Sequence, residues 1–176
     1  MAESDRIVLV TKEGDRVEVD ARLASLSNLI RTIIEDSGLT EEIPLDQVTK
    51  PILSLILSYC EHHNYTIPSE VKKPLPSPKF SEAVEDQWDV QFVQGLQDET
   101  LIDLVLAANY MDCKPVLDLC CAFIASKFKG KDIADLRSEY GIVEEFTPDE
   151  EDKLKQENPW AMEGDEERLL KSRTAG

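Results

Sequence analysis

The sequence predicts a mixed α/β fold, in which a few short strands near the amino end are followed by helices. Two β-branched runs flank a glycine-containing turn, which is the pattern of a hairpin. Apolar residues then recur at helical spacing from Leu26 onward, and most strongly between Asp98 and Phe128. A proline-rich polar stretch interrupts this pattern once without ending it.

The elements follow in order. Ile7–Thr11 is a short apolar run, Lys12-Glu13-Gly14-Asp15 a turn, and Arg16–Asp20 alternates strictly, so the hairpin has one buried face. Asp20 is placed to cap a helix carrying Leu26, Leu29, Ile30, Ile33 and Ile34, which Gly38 would close. Ile43-Pro44-Leu45 is long enough only for an edge strand, where a proline is tolerated. Pro51 suits a first helical turn, and Ile52, Leu55, Ile56, Tyr59 and Cys60 form the stripe behind it. Residues 64–87 hold four prolines among lysines, serines and acids, and read as a mobile loop inserted in the domain. Helical patterning resumes at Trp88. Leu101, Leu104, Val105 and Ala108 share a face of the helix opened by Asp98. The helix started by Pro115 is apolar on two sides: Leu117, Cys120, Cys121, Ile124 and Phe128 on one, Val116, Leu119 and Phe123 on the other.

After Gly130 the chain is acidic but still patterned. Ile133, Leu136, Arg137 and Tyr140 mark a short helix that Gly141 would end, and Thr147-Pro148-Asp149-Glu150 is a capping box with proline at the first helical position. The helix it opens runs toward Asn158, and Pro159 stops it. Phe146, Leu154 and Trp160 are nearly all it has to bury. At about 25 cal/mol per Å² they contribute only a few kcal/mol, against roughly 1–2 kcal/mol per residue of backbone ordering. This extension is therefore expected to become well ordered on binding a partner.

Composition excludes several functions. The 176 residues carry 36 acids and 19 bases, a net charge of −17. That field repels nucleic acid and anionic membranes, so neither is expected as a partner. No apolar run approaches the roughly 20 residues of a spanning helix, and the start MAESDR does not read as a secretory signal. Cys60, Cys113, Cys120 and Cys121 lack CxxC spacing and read as reduced, mostly buried thiols of a cytoplasmic or nuclear protein. The catalytic inventory is thin. Cys60, His62 and His63 spell C-x-H-H, but adjacent helical residues point about 100° apart and do not readily converge on one zinc, so two exposed histidines are expected instead. Phosphate-loop, dinucleotide, nucleophile-elbow and metalloprotease motifs are lacking, and the acidic runs lack the glycine of a calcium loop. Asn64-Tyr65-Thr66 matches a glycosylation acceptor, which without a secretory route has no use. Neither an enzyme activity, a metal nor a cofactor is expected. The informative signal is an interaction surface: a two-faced helix followed by an underfilled extension and a lone tryptophan.

These residues carry a resemblance. LAANYMD (Leu106–Asp112), KPVLDLCCAFIASKFKGK (Lys114–Lys131) and EFTPDEEDKLKQENPW (Glu145–Trp160) closely resemble the S-phase kinase-associated protein family. IPLDQVTKPILSLILSYCEHH (Ile43–His63) and WDVQFV (Trp88–Val93) fit the same pattern, so the resemblance spans Ile7 to Trp160. It implies a BTB/POZ α/β domain over residues 1–129, a three-stranded sheet with helices, then a two-helix extension over 130–160. Residues 161–176 are read as a disordered or weakly helical tail.

Members of that family are adaptors of SCF-type cullin–RING ubiquitin ligases, which bridge a cullin and F-box proteins and, through them, a RING protein and a ubiquitin-conjugating enzyme. The resemblance places cullin contacts at Asn109 and Tyr110, with Pro44, Leu45 and Val48 beside them. It places F-box contacts at Leu101, Ile102, Val105, Leu117, Cys121, Ile124, Ile142 and Trp160. Pro148 stands where some homologues are hydroxylated and glycosylated. Without a partner, the F-box face is expected to drive homodimer formation. The rival reading is an F-box-binding subunit of a kinetochore or trafficking complex. The chain departs from the family in KDIADLR after Gly130, which lacks the usual Thr-Pro, in a more proline-rich loop, and in a longer ending.

Overall fold

Strict alternation in the first two apolar runs builds the hairpin. β1 (Arg6–Thr11) and β2 (Arg16–Asp20) pair antiparallel, with Ile7 opposite Val19 and Leu9 opposite Val17. Gly14 holds φ +84° in the turn, a conformation that costs a side-chain-bearing residue more. The computed structural model describes residues 5–39, 42–142 and 146–158, and the chain divides after Gly130 into two compact units.

The helix expected after Asp20 is broken. Asp20 does cap, accepting from the Arg22 amide at 2.8 Å, but what it caps is a 3-10 turn, Ala21–Ser25. A new cap then begins α1 (Asn28–Ser37): Ser27 Oγ accepts from the Ile30 amide at 3.3 Å and donates to the Met111 carbonyl at 2.6 Å. A fully buried serine needs both bonds, and that long-range carbonyl is what splits the element. β3 (Ile43–Leu45) lies parallel to β1 with Leu9 opposite Ile43, giving the order β2–β1–β3. Pro44 is exposed on this edge strand, between buried Ile43 and Leu45.

α2 (Lys50–His62), with Pro51 in its first turn, buries Ile52, Leu53, Ile56, Tyr59 and Cys60. The stretch expected to be a mobile loop is instead docked. Phe80, Ala83 and Val84 are buried. The Phe80 ring meets Phe123 edge-on at 5.2 Å, Lys72 N–H donates to the Ala83 carbonyl at 3.0 Å, and Lys73 pairs with Asp118 at 2.7 Å. Composition suggested a solvated linker because the apolar anchors are few and widely spaced. Replacing Phe80 with alanine should cost about 3 kcal/mol in urea unfolding, in the range of buried phenylalanine truncations, and should open Lys79 to trypsin. Unchanged stability would mean that the segment is not held.

α3 (Gln87–Gln94) is capped by Asp86, which accepts from the Trp88 amide at 2.8 Å. α4 (Asp98–Tyr110) buries Leu101, Leu104, Ala107 and Ala108, and packs against α2 on one side and α5 (Lys114–Phe128) on the other. One continuous core joins the sheet and these helices. Among the described residues, no helix is long and apolar enough to cross a membrane.

In the second unit, α6 (Ile133–Glu139) is capped by Asp132, and α7 (Pro148–Glu157) by the capping box read from the sequence. Glu150 Oε2 accepts from the Thr147 amide at 2.9 Å and from its hydroxyl at 2.8 Å. These bonds, the backbone one foremost, hold the Glu150 carboxyl below its usual range. A depressed carboxylate contributes stability that is present above its unfolded pKa and lost as pH falls through the folded one. The Thr147 amide resonance is thus expected to move only below the ordinary glutamate range of about 4.3, and Glu150→Gln should abolish that transition in an NMR titration.

Candidate protein-interaction surfaces

α4 contributes the first surface. Its inward positions are consumed by the core, which leaves Ile102, Leu106, Asn109 and Tyr110 at i, i+4, i+7 and i+8 along one flank. Ile102 is 50% and Leu106 62% exposed, high values for large aliphatics in the middle of a helix. Asn109 is exposed and Tyr110 half-buried. The helix end is held firmly: Met111 is buried beneath it, and Asn28 Nδ2 donates to Asp112 Oδ2 at 2.7 Å. Asn109 and Tyr110 border an open groove of about 600 Å³, together with Leu106, Asp103, Asp46 and Gln47.

Leu45 and Val48 do not belong to that surface. Both are fully buried, because the β3 alternation points Leu45 inward and the following turn closes Val48 N–H onto the Leu45 carbonyl at 3.1 Å. Pro44 is exposed, as are Asp46 and Gln47, which the sequence reading passed over. Leu101 is likewise a core residue, 2% exposed, and Val105 is half-buried. Ile102 shares its flank with Asn109 and Tyr110. Leu106 was missed, although an apolar residue out of phase with the buried stripe of α4 was the available signal.

α5 contributes the second surface. Val116, Leu119, Cys120 and Ala122 face inward. Leu117, Cys121, Ile124 and Phe128 recur at i, i+4, i+7 and i+11 on the opposite side, with Cys121 and Phe128 exposed and the other two half-buried. Cys120, grouped with this stripe from spacing alone, is in the core, where burial pushes its thiol up to about 12. Cys60 and Cys113 are also buried. Contact with the Cys113 thiol, and then burial, push the Cys60 thiol up.

Among the described residues of the second unit, most of the large apolar ones are exposed. Ile133 is 74%, Ile142 54% and Phe146 57% exposed, and Leu154 is exposed as well. Pro148 is exposed in the first turn of α7. Trp160 and the tail 161–176 lie outside the described residues.

Comparison with known proteins decides the family. Residues 5–65 match the model described as the Skp1 family, tetramerisation domain, and residues 114–161 the Skp1 family, dimerisation domain. An S-phase kinase-associated protein 1 homolog from Tetrahymena thermophila is 41% identical over 160 residues, covering 91% of this chain and 96% of that protein. The chain belongs to the Skp1 family. Other Skp1 relatives align as fully. An E3 ubiquitin ligase complex SCF subunit sconC from Arthroderma benhamiae is 35% identical over 91% of this chain and 97% of its own length. A suppressor of kinetochore protein 1 from Schizosaccharomyces pombe is 34% identical over 89% and 97%. The small three-stranded sheet with its helices is the Skp1 POZ module, followed by the family's carboxyl-terminal helices. The first match covers the strands and α2, and the second covers the outer stripe of α5 and the described part of the second unit.

Proposed function

We propose that this chain is the adaptor subunit of an SCF-type E3 ubiquitin ligase, joining a cullin to F-box substrate receptors and performing no chemistry itself. The observation that carries this reading is the outer stripe of α5. Leu117, Cys121 and Ile124 form an apolar row on a helix whose other side is already packed. A helix with two apolar faces needs two partners, and an F-box supplies the second. Ile142 and Trp160 are further F-box contacts in this reading. The flank of α4 that ends in Asn109 and Tyr110 receives the cullin, with Pro44 beside it. Since Leu101, Leu45 and Val48 are buried, they support these surfaces from behind.

The adaptor acts by proximity. Holding a bound substrate near a ubiquitin-conjugating enzyme that the cullin recruits through a RING protein raises their effective concentration. The F-box interface is expected to bury on the order of 2,000 Å² or more, as obligate complexes do. In the absence of an F-box the same apolar row would join two copies, which fits the dimerisation description of the matched family segment. The protein works in the cytoplasm and nucleus. Purified chain, a cullin amino-terminal region and an F-box domain should form a ternary complex on size exclusion. Failure of the chain to bridge the two, each being able to bind a control adaptor, would refute the assignment. The name of the fission-yeast relative favours one second reading, an F-box-binding subunit of a kinetochore complex. Affinity purification that yields F-box chains without a cullin would select it.

A further inference from the structure

The carboxyl end of α2 meets the amino end of α3. His62 Nε2 lies 2.8 Å from Asp86 Oδ2, and His63 Nε2 lies 2.8 Å from Asp89 Oδ1. All four potential ligand atoms fall within 4.8 Å of one another. The expectation of two exposed histidines holds for His62 and fails for His63, which is half-buried. Cys60 is buried and does not join the two histidines, but two aspartates from α3 complete a set that local spacing could not reveal.

We propose that His62, His63, Asp86 and Asp89 bind one zinc ion. Two imidazole nitrogens and two carboxylate oxygens are a donor set that suits zinc and disfavours magnesium or calcium, which take oxygen ligands. The charges match, since two carboxylates neutralise a divalent cation between neutral imidazoles. The spacing matches as well. Tetrahedral zinc with bonds of about 2.0–2.1 Å places its ligand atoms roughly 3.3 Å apart. The paired atoms must open slightly and the wider pairs close, within the reach of carboxylate rotation. To bind an ion through Nε2, each imidazole must carry its ring proton on Nδ1.

The ligands are held in position. The His62 ring stacks on Trp88 with centroids 4.1 Å apart and planes 10° from parallel, and Trp88 stacks in turn on Phe92. Asp86 caps α3 through Oδ1, which leaves Oδ2 facing His62. Asp89 is a buried carboxylate, 5% exposed, and a cation beside it offsets its desolvation. An open pocket bounded by His63, Asp86, Asp89, Pro68 and Ser69 gives the ion a route in. Bound there, zinc staples α2 to α3 and closes the long segment between them.

The test is titration of the metal-free full chain with Zn²⁺ by calorimetry, supported by the visible absorption of Co²⁺. Asp86→Asn retains a good helix cap and His62→Phe retains a ring on Trp88, so both variants should fold. One ion per chain is expected, weakened roughly tenfold or more in each variant, unaffected by excess Mg²⁺ and unaffected by Cys121→Ser, which removes the exposed thiol. Absence of stoichiometric binding, an affinity in either variant unchanged from that of the unsubstituted chain, or loss on Cys121→Ser would each overturn the site.

Discussion

Tyr110→Lys is expected to weaken cullin binding by about 30-fold or more while F-box binding stays unchanged. An aromatic side chain at the end of a fixed helix, half-buried beside an open groove, has the character of an interface hot spot, worth 2 kcal/mol or more on truncation. Lysine removes the ring and sets a strongly hydrated charge among the groups that must be desolvated. It should not damage the fold, because a cation near a helix carboxyl terminus is favoured by the dipole, and Met111 rather than Tyr110 fills the core below. Tyr110→Phe, which keeps the packing surface, should lose much less. A pull-down in which Tyr110→Lys retains the cullin would remove the α4 flank from the cullin interface.

Truncation before Thr147 should have the reverse effect: F-box affinity falls by about 100-fold, which is roughly 2.7 kcal/mol, and cullin binding is unaffected. It deletes α7 with its exposed Leu154, and Trp160 beyond it. The first unit should unfold in urea with an unchanged midpoint, since its core is complete without them. An unaltered F-box affinity would show that the outer row of α5 suffices and that the extension is no clasp.

The extent to which these surfaces could be read from the sequence varied by element. Periodicity located α2, α4 and α5 because each carries a long apolar stripe, and the Thr147–Glu150 capping box marked the start of α7 because its geometry is local. The break at Ser27 was not legible, since it depends on the Met111 carbonyl 84 positions away. Nor was the docking of residues 64–86, which depends on Phe80 meeting Phe123. Among the interface candidates, residue type alone could not separate Ile102 from Leu101, or Cys121 from Cys120. One position of helical rotation divides core from surface in each pair.

The sequence by itself determined the α/β class, the family and the presence of an apolar helical surface in excess of what one domain covers. These follow from composition, from short-range periodicity and from motifs that are contiguous in the chain. Only the tertiary structure decided which of those apolar residues remain exposed, and that two histidines face two aspartates. Burial and side-chain convergence depend on elements distant in sequence, so a pattern read along one helix cannot supply them.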